Sequence, residues 1–199
     1  MDIFLQVWGG AAYLLAKILL AHAEGVQDDR KWRLIGWTAY LLGLPPWVIL
    51  LGGKQNWIAA AIEAGGAPAL LLGLVVAWKR LEQVPRYLDW GVKALTYLMI
   101  ALGIAYSMYY FGGITAFSQV LEMGVTLGFL LGSYLLAKKN PLGWLLFAGM
   151  LISMGILMYI QDKPVLVVQQ AISLIVVIQG FIRAKRKNRC TPGGTHEFS

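Results

Sequence analysis

Seven apolar runs, near residues 3–23, 33–52, 56–78, 91–111, 114–137, 142–161 and 163–184, alternate with short segments that hold most of the charge. Each run is close to the ~20 residues a helix needs to cross roughly 30 Å of hydrocarbon. The pattern predicts an all-α integral membrane protein with seven transmembrane helices. Little chain is left over for a soluble domain. A few polar side chains interrupt the runs: Lys17 in the first, Glu63 in the third, Ser118, Gln119 and Glu122 in the fifth, and Gln169, Gln170, Ser173 and Gln179 in the seventh.

The runs also repeat. Sliding the chain along itself until Gly36 falls on Gly143 also lays Trp37 over Trp144, Glu63 over Gln170, Ala64 over Ala171, and Gly73 over Gly180, without a gap across two spans. The basic pair Lys79 and Arg80 falls on Arg186 and Lys187. Each half has one further span in front, and those two share the string YLLAK, at 13–17 and 134–138, which a longer shift is needed to superpose. The expected plan is three helices, one linker helix and three helices: a first repeat over 1–80, a linker over 81–112, a second repeat over 113–187 and a disordered tail over 188–199. A single linker helix returns the chain so that both triplets share one orientation. Parallel repeats of that kind are a transporter plan, with substrate held between them near mid-membrane.

Composition agrees with a membrane protein: 58% of the 199 residues are hydrophobic and 14% charged. The net charge of +7 is explained by topology. With seven spans, one side receives Arg30, Lys31, Arg33, Lys79, Arg80, Arg86, Lys93, Lys138, Lys139, Arg183, Lys185, Arg186, Lys187 and Arg189, and the other receives Lys54 and Lys163. The positive-inside rule then puts the C-terminus in the cytoplasm and the N-terminus outside. The tail RAKRKNR reads as a stop and a contact for anionic lipid; nucleic acid is not an expected partner. AHAEG at 21–25 loosely resembles a signal cleavage site, but MDIF carries no basic residue and Lys17 breaks the apolar core, so a retained helix is expected. The lone Cys190 allows no intrachain disulfide.

Glu63 is the most informative single residue. A carboxylate at membrane depth costs roughly 2.5–3.5 kcal/mol on insertion scales, so it faces a partner or an interior cavity. It either ties helices together or takes part in binding or gating. On the seventh span Gln169, Ser173, Val176 and Gly180 share one face, with Gln170 and Gln179 flanking it. The matching face of the third span, Ile62, Gly66, Ala69 and Gly73, is small and featureless apart from Glu63 at its edge. Amides opposite such a face serve as interhelical glue or as substrate contacts. Most tryptophans read as an aromatic belt: Trp32, Trp78 and Trp90 toward one boundary, Trp8 and Trp57 toward the other. Trp37 and Trp144 are symmetry mates at equal depth and stand as either belt anchors or stacking walls for a planar ring. Pro45 and Pro46 predict a kink or break in the second span. No metal-ligand spacing, catalytic dyad or phosphate loop is present, so neither a cofactor nor an enzymatic activity is expected.

The second half, from GVTLGFLLGSYLLAKKN through FIRAKRK, resembles the closing three helices of the PnuC-type vitamin transporters, whose best-known substrate is nicotinamide riboside. Lys138, Lys139, Trp144, Gln169, Gln170, Gly180 and Arg183 sit in matching places, and the first half matches more faintly through Gly36, Glu63, Gly73 and Trp78. The resemblance implies the three-plus-one-plus-three fold shared with the SWEET sugar transporters, and facilitated diffusion of a riboside. This chain departs from the family where Phe147 stands for a second tryptophan and Ala39 for an asparagine.

The combined expectation is a carrier in a bacterial inner membrane for a small ring-containing metabolite, with Glu63, Gln169 and Gln170 as polar contacts and Trp37 and Trp144 as stacking walls. Its partners are a small-molecule substrate and the bilayer, with a homo-oligomer left open. The alternatives are a structural or regulatory membrane protein of the same fold and a SWEET-like sugar facilitator.

Overall fold

The computed structural model describes residues 2–53, 57–81, 83–111, 117–160, 162 and 164–190, without the side chains of 2, 51–53, 57–59, 107, 110, 111, 165, 188 and 190. Every described element is an α-helix: α1 Asp2–Ala23, α2 Arg30–Gly53, α3 Trp57–Gly65, α4 Ala67–Trp78, α5 Arg86–Phe111, α6 Phe117–Ala137, α7 Leu142–Ile160 and α8 Pro164–Cys190. Counting α3 and α4 together, seven helical stretches are long and apolar enough to cross a membrane, which makes this an integral membrane protein. Lys54, Lys163 and the tail from residue 191 lie outside the described residues, as does the ring of Trp57.

Two prolines and two glycines shape the spans in ways that differ from the sequence expectation. α2 runs uninterrupted through Pro45 and Pro46, so the pair does not break it. Pro46 is fully buried and Pro45 is exposed. The third span is the one that breaks. After Gly65 the chain turns at Gly66, whose N–H donates to the Glu63 carbonyl, and α4 restarts at Ala67 with Pro68 in its first turn. Proline is tolerated there because first-turn N–H groups have no intrahelical acceptor.

Helix neighbours follow a closed circuit. α1 packs on α2, α2 on α3 and α4, α4 on α6, α6 on α7, α7 on α8, and α8 returns to α1; α5 lies outside the circuit against α6, α3 and α4. The apolar residues that remain exposed, such as Ile3, Leu42, Tyr97, Ile152 and Ile175, form the outer surface, as lipid contact requires.

Close approaches within the circuit come in pairs. A methyl on Gly36 would meet Leu20 and the Ala16 carbonyl, and one on Gly143 would meet Leu136 and the Gly132 carbonyl. Trp37 lies against Gly73, and Trp144 lies against Gly180. The α2/α7 and α4/α8 positions in these pairs share a single register, the one that carries Gly36 to Gly143. The α1/α6 positions follow another, which carries Ala16 to Gly132 and Leu20 to Leu136. This shift differs from the one that superposes the two YLLAK strings.

Hydrogen bonds collect the basic segments at one end of the bundle. Arg30 donates to the Trp78 carbonyl (3.0 Å), Lys139 to the Leu81 carbonyl (3.5 Å), Lys138 to Asp89 (3.0 Å) and Lys187 to Asp29 (3.1 Å). Two helices end there on non-glycine residues with positive φ, Arg80 at 53° and Lys139 at 58°. After Lys139 the Asn140 N–H returns to the Leu135 carbonyl and the Lys139 N–H to Leu136, which satisfies carbonyls the helix leaves open.

Candidate functional site

The inner face of α1 carries Gly10, Tyr13 and Lys17, one turn apart. Gly10 has no side chain, and the Gln169 amide of α8 occupies the space; a Cβ there would come within 2.8 Å of its nitrogen. Tyr13 turns toward α3 and donates its hydroxyl to the Glu63 carboxylate. Its ring also lies against Tyr40 of α2, with centroids 4.8 Å apart. Lys17, only 5% exposed, donates to the Ser173 hydroxyl of α8 at 3.4 Å.

A polar cluster of Tyr13, Lys17, Tyr40, Glu63, Gln169 and Ser173 therefore joins four helices inside an apolar bundle. Glu63 sits beside the Gly65–Gly66 break, at the point where the third span stops being a continuous helix. Irregular backbone is tolerated at membrane depth where it is buried in protein or lines a cavity. Gly66 gives α4 no side-chain cap, and its carbonyl accepts from the Ala69 and Leu70 N–H groups. Among the described residues the buried Tyr40 hydroxyl has no hydrogen-bond partner, nor has that of Ser133 on α6.

Of the residues expected from sequence, Glu63 and Gln169 enter this cluster. Gln170 is half-buried and turns the other way, with its Cβ next to Gly155 of α7. Gln179 is exposed. Trp37 and Trp144 are each 1% exposed, with a ring against the glycine of the helix beside it. The apolar pattern assigns no role to Tyr13 and Tyr40, and Lys17 reads in it only as an interruption. The signal that could have found them is the spacing of Tyr13 and Lys17 at i and i+4, which puts both on one face of α1.

A second polar cluster sits at the basic end. Glu24 and Arg33, both almost fully buried, pair at 3.0 Å, and Arg33 also bonds Asp29 at 2.9 Å. Lys187 reaches Asp29 from α8, and the Trp144 indole donates to Glu24 from α7 at 3.3 Å. Arg183 of α8 donates to the Ala21 carbonyl. These contacts tie α1 and α2 to α7 and α8. Burial alone would push the Asp29 carboxyl up, but the hydrogen bonds and charges of Arg33 and Lys187 outweigh it and hold the group below the ordinary carboxylate range. In the sequence, Arg33 counts only as a topological charge, yet it is the buried hub of this network.

No protein family, no curated protein and no solved structure matches this chain.

Proposed function

We propose that this protein is a carrier that facilitates diffusion of a small ring-containing metabolite, with nicotinamide riboside or a related vitamin or nucleoside as substrate. In this reading the chain is built as three-plus-one-plus-three parallel repeats in a bacterial inner membrane, with the N-terminus outside and the C-terminus in the cytoplasm. The observation that carries it is the buried polar cluster at the broken third span, where Tyr13 and Glu63 join α1 to α3 and Lys17 joins α1 to α8. A membrane protein gains nothing from burying lysine and glutamate in an apolar bundle unless they bind, gate or lock helices together.

The paired contacts support the repeat. Trp37 with Gly73 and Trp144 with Gly180 are the same contact in one register, and α1 meets α8 as α4 meets α6. Discontinuous spans at a repeat interface are where transporters hold substrate. The two tryptophans act as stacking walls only after α4 and α8 move off their rings, which fits a carrier that rocks between closed and open forms. The network of Glu24, Arg33, Asp29 and Lys187 then closes the basic side.

The test is uptake of labelled nicotinamide riboside into proteoliposomes. Entry above that of protein-free liposomes, falling at least several-fold in Glu63→Ala and Gln169→Ala with folded protein retained, supports the reading. Entry that both substitutions leave unchanged removes the site assignment, and no entry at all removes the substrate.

A further inference from the structure

The polar groups around Glu63 are incompletely satisfied, and what they lack defines a ligand. The Lys17 ammonium has three N–H donors, and among the described residues one of them is used, on Ser173. Glu63 accepts from Tyr13 on Oε1, while no described donor reaches Oε2. The Tyr40 hydroxyl, in a residue with no exposed surface, has no partner among the described residues. Buried polar groups are nearly always paired, so these open positions are where a bound molecule or water completes the set.

The open positions have a polarity. Lys17 and Tyr40 offer donors, and Lys17 a positive charge; Glu63 offers an acceptor and a negative charge. The lysine and glutamate charges cancel. A ligand with a fixed positive charge would leave the buried site with a net charge of +1, and burying net charge in a low-dielectric interior is costly. A ligand that carries both signs leaves it neutral and gives each protein charge its opposite.

Taking the carrier reading as its basis, we infer that the site formed by Tyr13, Lys17, Tyr40, Glu63, Gln169 and Ser173 selects a zwitterionic ring-bearing metabolite over its cationic analogue. The anionic group of the ligand meets Lys17 and Tyr40, and its cationic or N–H end meets Glu63. Gln169, held against Gly10 by a gap that only glycine leaves, supplies an amide to the ring substituents.

A matched pair of probes separates the two classes: nicotinic acid riboside, which pairs a pyridinium with a carboxylate, and nicotinamide riboside, which has the pyridinium alone. Binding of each to the full-length protein in lipid nanodiscs is measured calorimetrically at pH 7. The expected result is binding of the acid riboside about tenfold tighter or more, with Lys17→Met removing that preference and Lys17→Arg keeping most of it. Tyr40→Phe, which retains the ring, is expected to weaken the acid riboside more than the amide. Equal binding of the two probes by the unaltered protein, or tighter binding of the amide, overturns the charge preference and leaves the carrier reading standing. Binding of neither probe overturns the riboside reading and this inference with it. The comparison in the unaltered protein decides the matter even if Lys17→Met does not fold.

Discussion

Tyr40 on α2 and Phe147 on α7 lie with ring centroids 6.1 Å apart, both without exposed surface, and the shift that carries Gly36 onto Gly143 carries one onto the other. Residues related by a two-fold axis touch each other only beside that axis. If the two triplets are repeats as proposed, this contact lies on their axis, and the two rings differ by one hydroxyl. That hydroxyl is buried without a partner among the described residues. Phe147→Ala removes a central ring and should cost about 3–5 kcal/mol. Tyr40→Phe should leave thermal stability in detergent unchanged or raise it by about 1 kcal/mol, because it deletes an unsatisfied polar group. A clear loss of stability in Tyr40→Phe would mean that the hydroxyl has a partner in the folded protein.

The tryptophan seats give a second prediction. A methyl on Gly73 collides with the Trp37 indole, and one on Gly180 comes within 3.0 Å of the Trp144 ring, whereas nothing lies within 4 Å at Gly91 or Gly149. Gly73→Ala and Gly180→Ala should each destabilise by about 1–3 kcal/mol through overpacking. Gly91→Ala and Gly149→Ala, inside α5 and α7, should instead stabilise by about 0.5–1 kcal/mol. Shrinking the opposing ring, as in Gly73→Ala with Trp37→Phe, should recover part of the loss. Melting temperatures of the five variants in one detergent check the ordering.

At the basic end, removal of one partner matters more than the number of ion pairs. Arg33→Met leaves Glu24 as a buried uncompensated charge and should cost about 3–5 kcal/mol. Lys187→Ala removes a pair whose lysine is 41% exposed and should cost under about 1 kcal/mol. The Asp29 carboxyl is held below its ordinary value in the folded protein, so its contribution to stability is present above the unfolded value near 4 and is lost as pH falls through the folded one. Denaturation followed from pH 6 down to pH 3 should show that loss, and Asp29→Asn should flatten it.

Lys139 ends α6 with φ at 58°, a left-handed conformation that costs a side-chain-bearing residue about 1–2 kcal/mol. Its ammonium reaches the Leu81 carbonyl only at 3.5 Å from an exposed position, so little is lost with it. Lys139→Gly should raise stability by about 0.5–1 kcal/mol once the higher entropy of glycine in the unfolded chain is deducted. A decrease in melting temperature would show that the lysine side chain does more at that corner than its geometry indicates.

The spans and their lengths were legible because apolar runs of about 20 residues have one physical meaning in a bilayer. The break in the third span was written as Gly65, Gly66 and Pro68, but the apolar run passes over it, and Pro45 and Pro46 make the louder signal. There the helix continues, because a single span can absorb two missing donors when its neighbours pack on it. Glu63 announced itself by its cost in hydrocarbon. Tyr13 and Tyr40 did not, since a tyrosine in an apolar run reads as belt or core until its hydroxyl partner is seen. Arg33 looked like a boundary charge because a sequence cannot say which boundary charges the helix ends fold over.

Counterflow in proteoliposomes tests the central claim most directly. Vesicles containing the purified protein are loaded with millimolar unlabelled riboside, diluted into a trace of the labelled compound, and followed over time, with nicotinic acid riboside and nicotinamide riboside assayed separately. A carrier with a site that alternates between the two sides draws label in transiently above equilibrium, and Glu63→Ala abolishes the overshoot. Label that enters no faster than in protein-free vesicles for either riboside would contradict the account.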